Sequence, residues 1–281
     1  MTNCRNKIFT ALKYIDLDIQ IQKSNSKLLK KLPTFCVKWL KVIIRQKEIN
    51  KILTKYSNYK GVDFLPKILE ELNIKVEIEG LENLPENGKC FFVANHPFGF
   101  VDGLILTNTI AHKYGTLKAI GNDVFMLIPH LKPIITVVNV FDINSKKYIQ
   151  ELEKLFSSNL PITHFPAGLV SRIKRGKVED DEWRKGFIKK AVVCHRDIVP
   201  FYFYGKNSLL FYFIYIIRKI LRISANLELV LLPHEIFNKS NKTIRVKIGK
   251  PISYTTFDKA RSYYDWAQFV KRQTYNLKNT P

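Results

Sequence analysis

From residue 75 onward, short apolar runs and amphipathic helical patterns take turns along the chain, and this alternation constrains the fold more than any single motif. Residues 76–78 and 89–94 read as strands, and 102–115 as a helix closing at Gly115. Strand-like runs recur at 133–140, 161–165, 198–203 and 243–248, with helical patterns at 146–156 and 183–194. Strands alternating with helices predict an α/β architecture: a mixed, mainly parallel sheet flanked by helices. In such sheets functional residues gather just beyond the C-terminal ends of strands. That rule points to two loops, 95–102 and 166–172.

The first part of the chain is different. Residues 1–60 hold fourteen Lys/Arg against three Asp/Glu, half of a total excess of +22. This shift divides the sequence into a basic helical segment, 1–70, and an α/β domain, 71–281. Within the segment, Cys36, Trp39, Leu40 and Ile43 follow helical spacing, while Lys38, Lys41 and Arg45 gather opposite. A basic helix with Trp on its apolar face suits an anionic membrane surface, and a helix packed on the core with a solvated basic face fits the same pattern. The longest apolar run, 209–217, is nine residues, far short of the roughly 20 that a spanning helix needs. The N-terminus has no long apolar stretch of the signal-peptide kind. Four cysteines stand apart with no CxxC pair, which fits a reducing compartment and argues against a disulfide or zinc scaffold.

Of six histidines, His96 is the informative one. It follows a buried strand and has Asp102 six residues on, near a helix start. A carboxylate beside an imidazole fixes its tautomer and supports the imidazolium formed when it takes a proton. No GxSxG elbow supplies a nucleophile, so such a pair implies that the substrate brings the attacking hydroxyl. The turn through Asn95 and Gly99 is the candidate oxyanion site. A histidine that merely caps a turn fits the bare spacing too. The second loop reads Phe165-Pro166-Ala167-Gly168-Leu169-Val170-Ser171-Arg172, then Lys174 and Arg175. Gly168, Ser171, Arg172, Lys174 and Arg175 are candidates for gripping an anionic head group, a solvated basic loop being the alternative. No HExxH, GxGxxG or GxxxxGK[ST] occurs, so neither a metal, a dinucleotide nor a P-loop site is signalled.

Taken in order, Ala94-Asn95-His96-Pro97-Phe98-Gly99 with Asp102, Phe165-Pro166-Ala167-Gly168 and Ile198-Val199-Pro200 resemble the motif blocks of the glycerolipid acyltransferases. Gly121-Asn122-Asp123-Val124-Phe125 stands where that family has its second block. The resemblance covers about residues 78–250 and is strongest to the haemolysin-like bacterial branch, whose members resemble the lysolipid O-acyltransferases that finish ornithine or glycine lipids. It implies that His96 deprotonates an acceptor hydroxyl and that Asp102 orients His96. The hydroxyl would attack an acyl thioester carried by acyl-carrier protein or coenzyme A, with no bound cofactor. Phe98 and Phe100 would flank an acyl slot. The partners implied are anionic membrane lipids, the acyl donor and a lysolipid acceptor, at the cytoplasmic face of the inner membrane.

Three departures stand out. Five residues separate His96 from Asp102, one more than the family's usual spacing. The family's loop glutamate is Ala167 here, and its loop arginine is Val170. These changes point to an anionic head other than phosphoglycerol, such as an amino-acid carboxylate. Two further readings remain open to the sequence: a non-enzymatic nucleic-acid binder, from the basic charge and 12% aromatic content, and an inactive lipid-binding relative.

Overall fold

The computed structural model describes residues 14–24, 26–137, 146–174 and 176–279. Helices α1 (Leu17–Lys23), α2 (Lys27–Lys30), α3 (Thr34–Ile43), α4 (Gln46–Lys55) and α5 (Phe64–Glu71) lead into strand β1 (Lys75–Glu79). Then come β2 (Cys90–Ala94), α6 (Val101–Tyr114), β3 (Lys118–Gly121), β4 (Ile135–Val137), α7 (Lys146–Ser157) and β5 (Ile162–His164). A hairpin of β6 (Arg172–Lys174) and β7 (Lys177–Glu179) precedes α8 (Gly186–Cys194), β8 (Asp197–Phe203) and α9 (Leu209–Ile220). The chain ends with α10 (Leu232–Phe237), β9 (Thr243–Ile248) and α11 (Tyr263–Asn276).

Among the described residues the main sheet has seven strands in the order β1-β9-β8-β2-β5-β3-β4. Every neighbouring pair is parallel except β8 and β9, so the sheet is mixed and mainly parallel, as the alternation predicts. Strand β2 lies at its centre and is buried on both faces. Its Phe92 and Ala94 join one core with Phe64, Leu104 and Phe201, and Phe91 and Val93 join a second with Trp183, Phe187 and Val270. A strand covered on both sides must be apolar throughout, which is why CFFVA shows no alternation.

The strands expected at 76–78, 89–94, 161–165, 198–203 and 243–248 all form, with ends shifted by a residue or two. That at 133–140 is described only to Val137, and its remaining residues lie outside the described ones. The helix expected at 183–194 begins at Gly186; Trp183, before it, is fully buried with its indole N–H on Asp180. Helix α6 closes where Gly115, at φ +76°, donates to the Ala111 carbonyl at 2.8 Å. In α3 the inner face is Cys36, Leu40 and Ile43, whereas Trp39 is 66% exposed, with Phe35 and Val42 outward beside it. Trp39 therefore does not share one face with Cys36, Leu40 and Ile43, as the spacing suggests.

One buried cation ties α7 to the sheet. Arg196, fully buried just before β8, donates from Nε to the Phe156 carbonyl at 2.7 Å and from Nη1 to that of Leu160 at 2.8 Å. Its Nη2 reaches the carbonyls of Leu155 and Ser158. Leu155 and Phe156 belong to the last turn of α7 and Ser158 and Leu160 to the loop that follows, where a positive charge is favoured. Arg196→Met keeps the volume and strands the carbonyls. Urea denaturation should register a loss of about 3 kcal/mol, against near-neutrality for the exposed Lys189→Met.

Candidate active site

Parallel pairing of β2 and β5, with Val93 opposite His164, sets the two loops beyond them side by side. The loops are clasped together. Ser171 donates its backbone N–H to the His96 carbonyl at 2.8 Å. Between them sits Asp180, a fully buried carboxylate: Oδ1 accepts the His96 N–H at 3.1 Å and the Ser171 hydroxyl at 2.5 Å, and Oδ2 accepts Trp183 Nε1–H at 2.9 Å. Burial pushes the Asp180 pKa above the usual carboxylate range.

His96 Nδ1 lies 3.1 Å from Asp102 Oδ2, close enough for an ion pair but without the alignment of a hydrogen bond. The same Oδ2 accepts the N–H groups of Phe98, at 2.9 Å, and Gly99, at 3.3 Å, while Oδ1 accepts that of Gly103 at 2.9 Å. The extra residue in this turn is thus accommodated by wrapping the backbone around the carboxylate, with Gly99 at φ +87°. On its other side the imidazole stacks on Phe165, centroids 4.0 Å apart. Held in this way, the ring presents Nε2 to the cleft, and a proton taken there would be offset by Asp102.

The cleft is about 560 Å³ and runs from His96 past Phe100 to Leu104, Phe125, Leu131 and Ile135. It opens where β3 and β5, paired only at Lys118–Ile162 and Ala119–Thr163, part company before their C-terminal ends. Among the described residues no cluster of His, Cys, Asp and Glu is arranged to hold a metal ion.

A family model described as acyltransferase matches residues 19–281. This chain belongs to that family. It is 42% identical over 264 residues to a lyso-glycine lipid O-acyltransferase of Phocaeicola vulgatus, covering 94% of this chain and 95% of the relative. To a lyso-glycine lipid O-acyltransferase of Bacteroides thetaiotaomicron it is 39% identical, covering 94% and 97%. Among solved structures, it is similar to the 1-acyl-sn-glycerophosphate acyltransferase PlsC of Thermotoga maritima at TM-score 0.48 and 17% identity, over 94% of this chain and 87% of that one.

Several residues that acyltransferase motifs suggest for the site are placed elsewhere. Asn95 is buried, its amide locked to Phe203 by bonds of 3.0 and 2.7 Å, and the Gly99 N–H is turned to Asp102, so neither is presented to an oxyanion. Phe98 is packed against Gly205, where even a Cβ would come within 2.4 Å of its ring, and it does not line the cleft. Phe100 does line it, stacked on Phe125 at 5.4 Å. Arg172 is buried and paired with Glu228 at 2.9 Å. Ser171 is committed to Asp180, Lys174 pairs with Asp181, and Arg175 lies outside the described residues. Gly168 borders the cleft at φ +69°.

The guanidinium that does reach this turn is Arg184. Its backbone N–H donates to Pro166 at 3.0 Å, and its Cζ lies 3.2 Å from where a Cβ on Gly168 would stand. No spacing in the sequence pairs residue 184 with residue 168. The signal lay in Trp183, whose burial under Asp180 turns Arg184 outward.

His164, on the cleft wall near Arg184, has a pKa lowered to about 4 by burial first and then by the Arg184 charge. The unfolded chain binds this proton near pH 6.5 and the native one does not. Its contribution is therefore complete above pH 6.5 and is lost as pH falls toward 4, at most about 3 kcal/mol. Denaturation midpoints measured across this window should fall in the native chain and flatten in His164→Gln.

Proposed function

We propose that this chain transfers a fatty acyl group from a thioester to the hydroxyl of a lyso-amino-acid lipid of the glycine-lipid type. The observation that carries the reading is the setting of His96: between Asp102 and Phe165, at one end of an apolar cleft. The names of its relatives point to the same acceptor class.

His96 Nε2 removes the acceptor hydroxyl proton as that oxygen attacks the thioester carbonyl carbon. Asp102 stabilises the imidazolium. The tetrahedral intermediate collapses with cleavage of the C–S bond, and the departing sulfur takes the proton back from His96. No covalent acyl-enzyme forms, and the thioester itself is the only activated group. The donor is an acyl-carrier protein or coenzyme A thioester, and its chain lies along the wall formed by Leu104, Leu131 and Ile135.

Arg184, above the Gly168 turn, holds the acceptor's carboxylate, for which a guanidinium fork is well matched. Helix α3, with Trp39 exposed and Lys38 beside it, rests on the anionic cytoplasmic face of the membrane, so that the enzyme acts as a peripheral protein. No helix among the described residues is long and apolar enough to cross a membrane.

Purified protein given a labelled acyl donor should acylate detergent-dispersed lyso-glycine lipid in preference to lysophosphatidate. His96→Ala should lower turnover by roughly 10²–10⁴-fold with an unchanged circular dichroism spectrum. Full activity in that variant would sink the mechanism. Arg184→Ala should raise KM for the carboxylate acceptor about tenfold or more with kcat little altered, the loss of one charged hydrogen bond. An unchanged KM would remove Arg184 from the site.

A further inference from the structure

Helix α9 turns an apolar face outward. Leu209 is 78% exposed, Phe213 60% and Ile220 69%, and Leu210, Ile216 and Ile217 fall on the same side. The opposite side is built into the protein. Phe211 and Tyr212 are buried in a cluster with Val170 and Leu231. Arg218 donates to Glu228 at 2.9 Å, and Glu228 also binds Arg172, so the segment 209–231 is braced at its base by two buried arginines on one carboxylate. Residues 221–227, beyond the helix, are exposed throughout and include Ile223 and Leu227.

This face continues into α3. Ile43, at the end of α3, packs on the cluster that holds Phe211, and Arg45 reaches His234 on α10 at 3.5 Å. On α3, Phe35, Trp39 and Val42 point outward at helical spacing. The exposed charge carried by both helices is basic, the acidic neighbour being Asp18 of α1, which pairs with Lys41 of α3. No Asp or Glu occurs in residues 19–47 or 198–227, whereas Lys38, Lys206, Lys219 and Arg222 are exposed there.

We propose that α9 and the turn after it form, together with α3, one two-point surface for an anionic lipid bilayer, α9 lying flat in the headgroup region. Twelve residues at about 1.5 Å each make it roughly 18 Å long, suited to lying along an interface and too short to span one. The charge favours a bilayer over a second copy of this chain, because a two-fold contact would set two faces of the same positive sign against each other. The placement suits an acceptor that lives in the membrane. Val170, two residues after Gly168, packs under the inner side of α9, so the helix that carries the attached face rests on the cleft loop. In this last respect the inference rests on the proposed lipid acceptor.

The test is co-sedimentation with vesicles of phosphatidylcholine and phosphatidylglycerol, 4:1 in ratio as a rough mimic of an anionic bacterial leaflet. Phe213→Glu/Ile220→Glu should weaken binding by at least about tenfold, while turnover on detergent-dispersed acceptor stays within about twofold of native. Lys219→Glu/Arg222→Glu, which leaves the apolar face intact, should weaken binding to these vesicles by about tenfold and leave binding to pure phosphatidylcholine unchanged. Native vesicle affinity in both variants would overturn the proposal, as would a dimer in sedimentation velocity that the first variant splits without loss of vesicle binding. Lost vesicle binding in the variants, with no turnover even by the native chain in detergent, would uphold the surface and remove the proposed reaction.

Discussion

The buried carboxylate of Asp180 is the interaction on which the candidate site depends. It contributes no proton-transfer geometry of its own, yet it fixes the backbone of His96, the hydroxyl of Ser171 and the indole of Trp183. The turn that holds His96 is thereby set against a stretch of chain far along the sequence, from Ser171 to Trp183, by one side chain. The surrounding groups all donate to it, and Lys271 and Tyr275 of α11 hold its backbone, at 2.8 Å each. A carboxylate buried in this way is tolerable only because its oxygens are met by donors. The loops at 95–102 and 166–172 are therefore a single unit.

The sheet supplies the rest of the arrangement. Adjacent parallel strands bring their C-terminal loops to the same edge, and β2 and β5 are adjacent. The same parallelism creates the cleft, because β3 remains with β4 through Gly121–Val137 but leaves β5 after Ala119–Thr163. The apolar slot is thus a gap between strands, lined by residues that the two cores would otherwise bury.

Much of this was legible in the sequence, for identifiable reasons. KCFFVA is apolar without alternation, and only a strand covered on both faces asks for that. His96 and Asp102 were readable because both lie within one turn. What escaped reading lies across long separations. Glu228 is 56 residues from Arg172, and nothing in either neighbourhood announces the pair that draws Arg172 away from the cleft. Asn95 looked like a polar group at a turn, but its amide completes the pairing to β8 more than a hundred residues on. The exposure of Trp39 is similar, since helical spacing defines a stripe but not which neighbour will cover it.

At both of the loop's departures from the family pattern the side chain is buried. Ala167 and Val170 both face inward, Ala167 into the core under Trp183 and Val170 under Phe211 of α9. A glutamate or arginine at either position would have to be buried without a partner, at a cost of several kcal/mol. The braced α9 segment makes the second position apolar, and the packing of Trp183 makes the first so. Yet the turn between them keeps Gly168 open to the cleft, and Trp183 delivers Arg184 to it from outside. A cation is thereby brought to the turn from farther along the chain. Under the proposed function, such a change moves the fork to suit an acceptor of altered head group while leaving His96 in place.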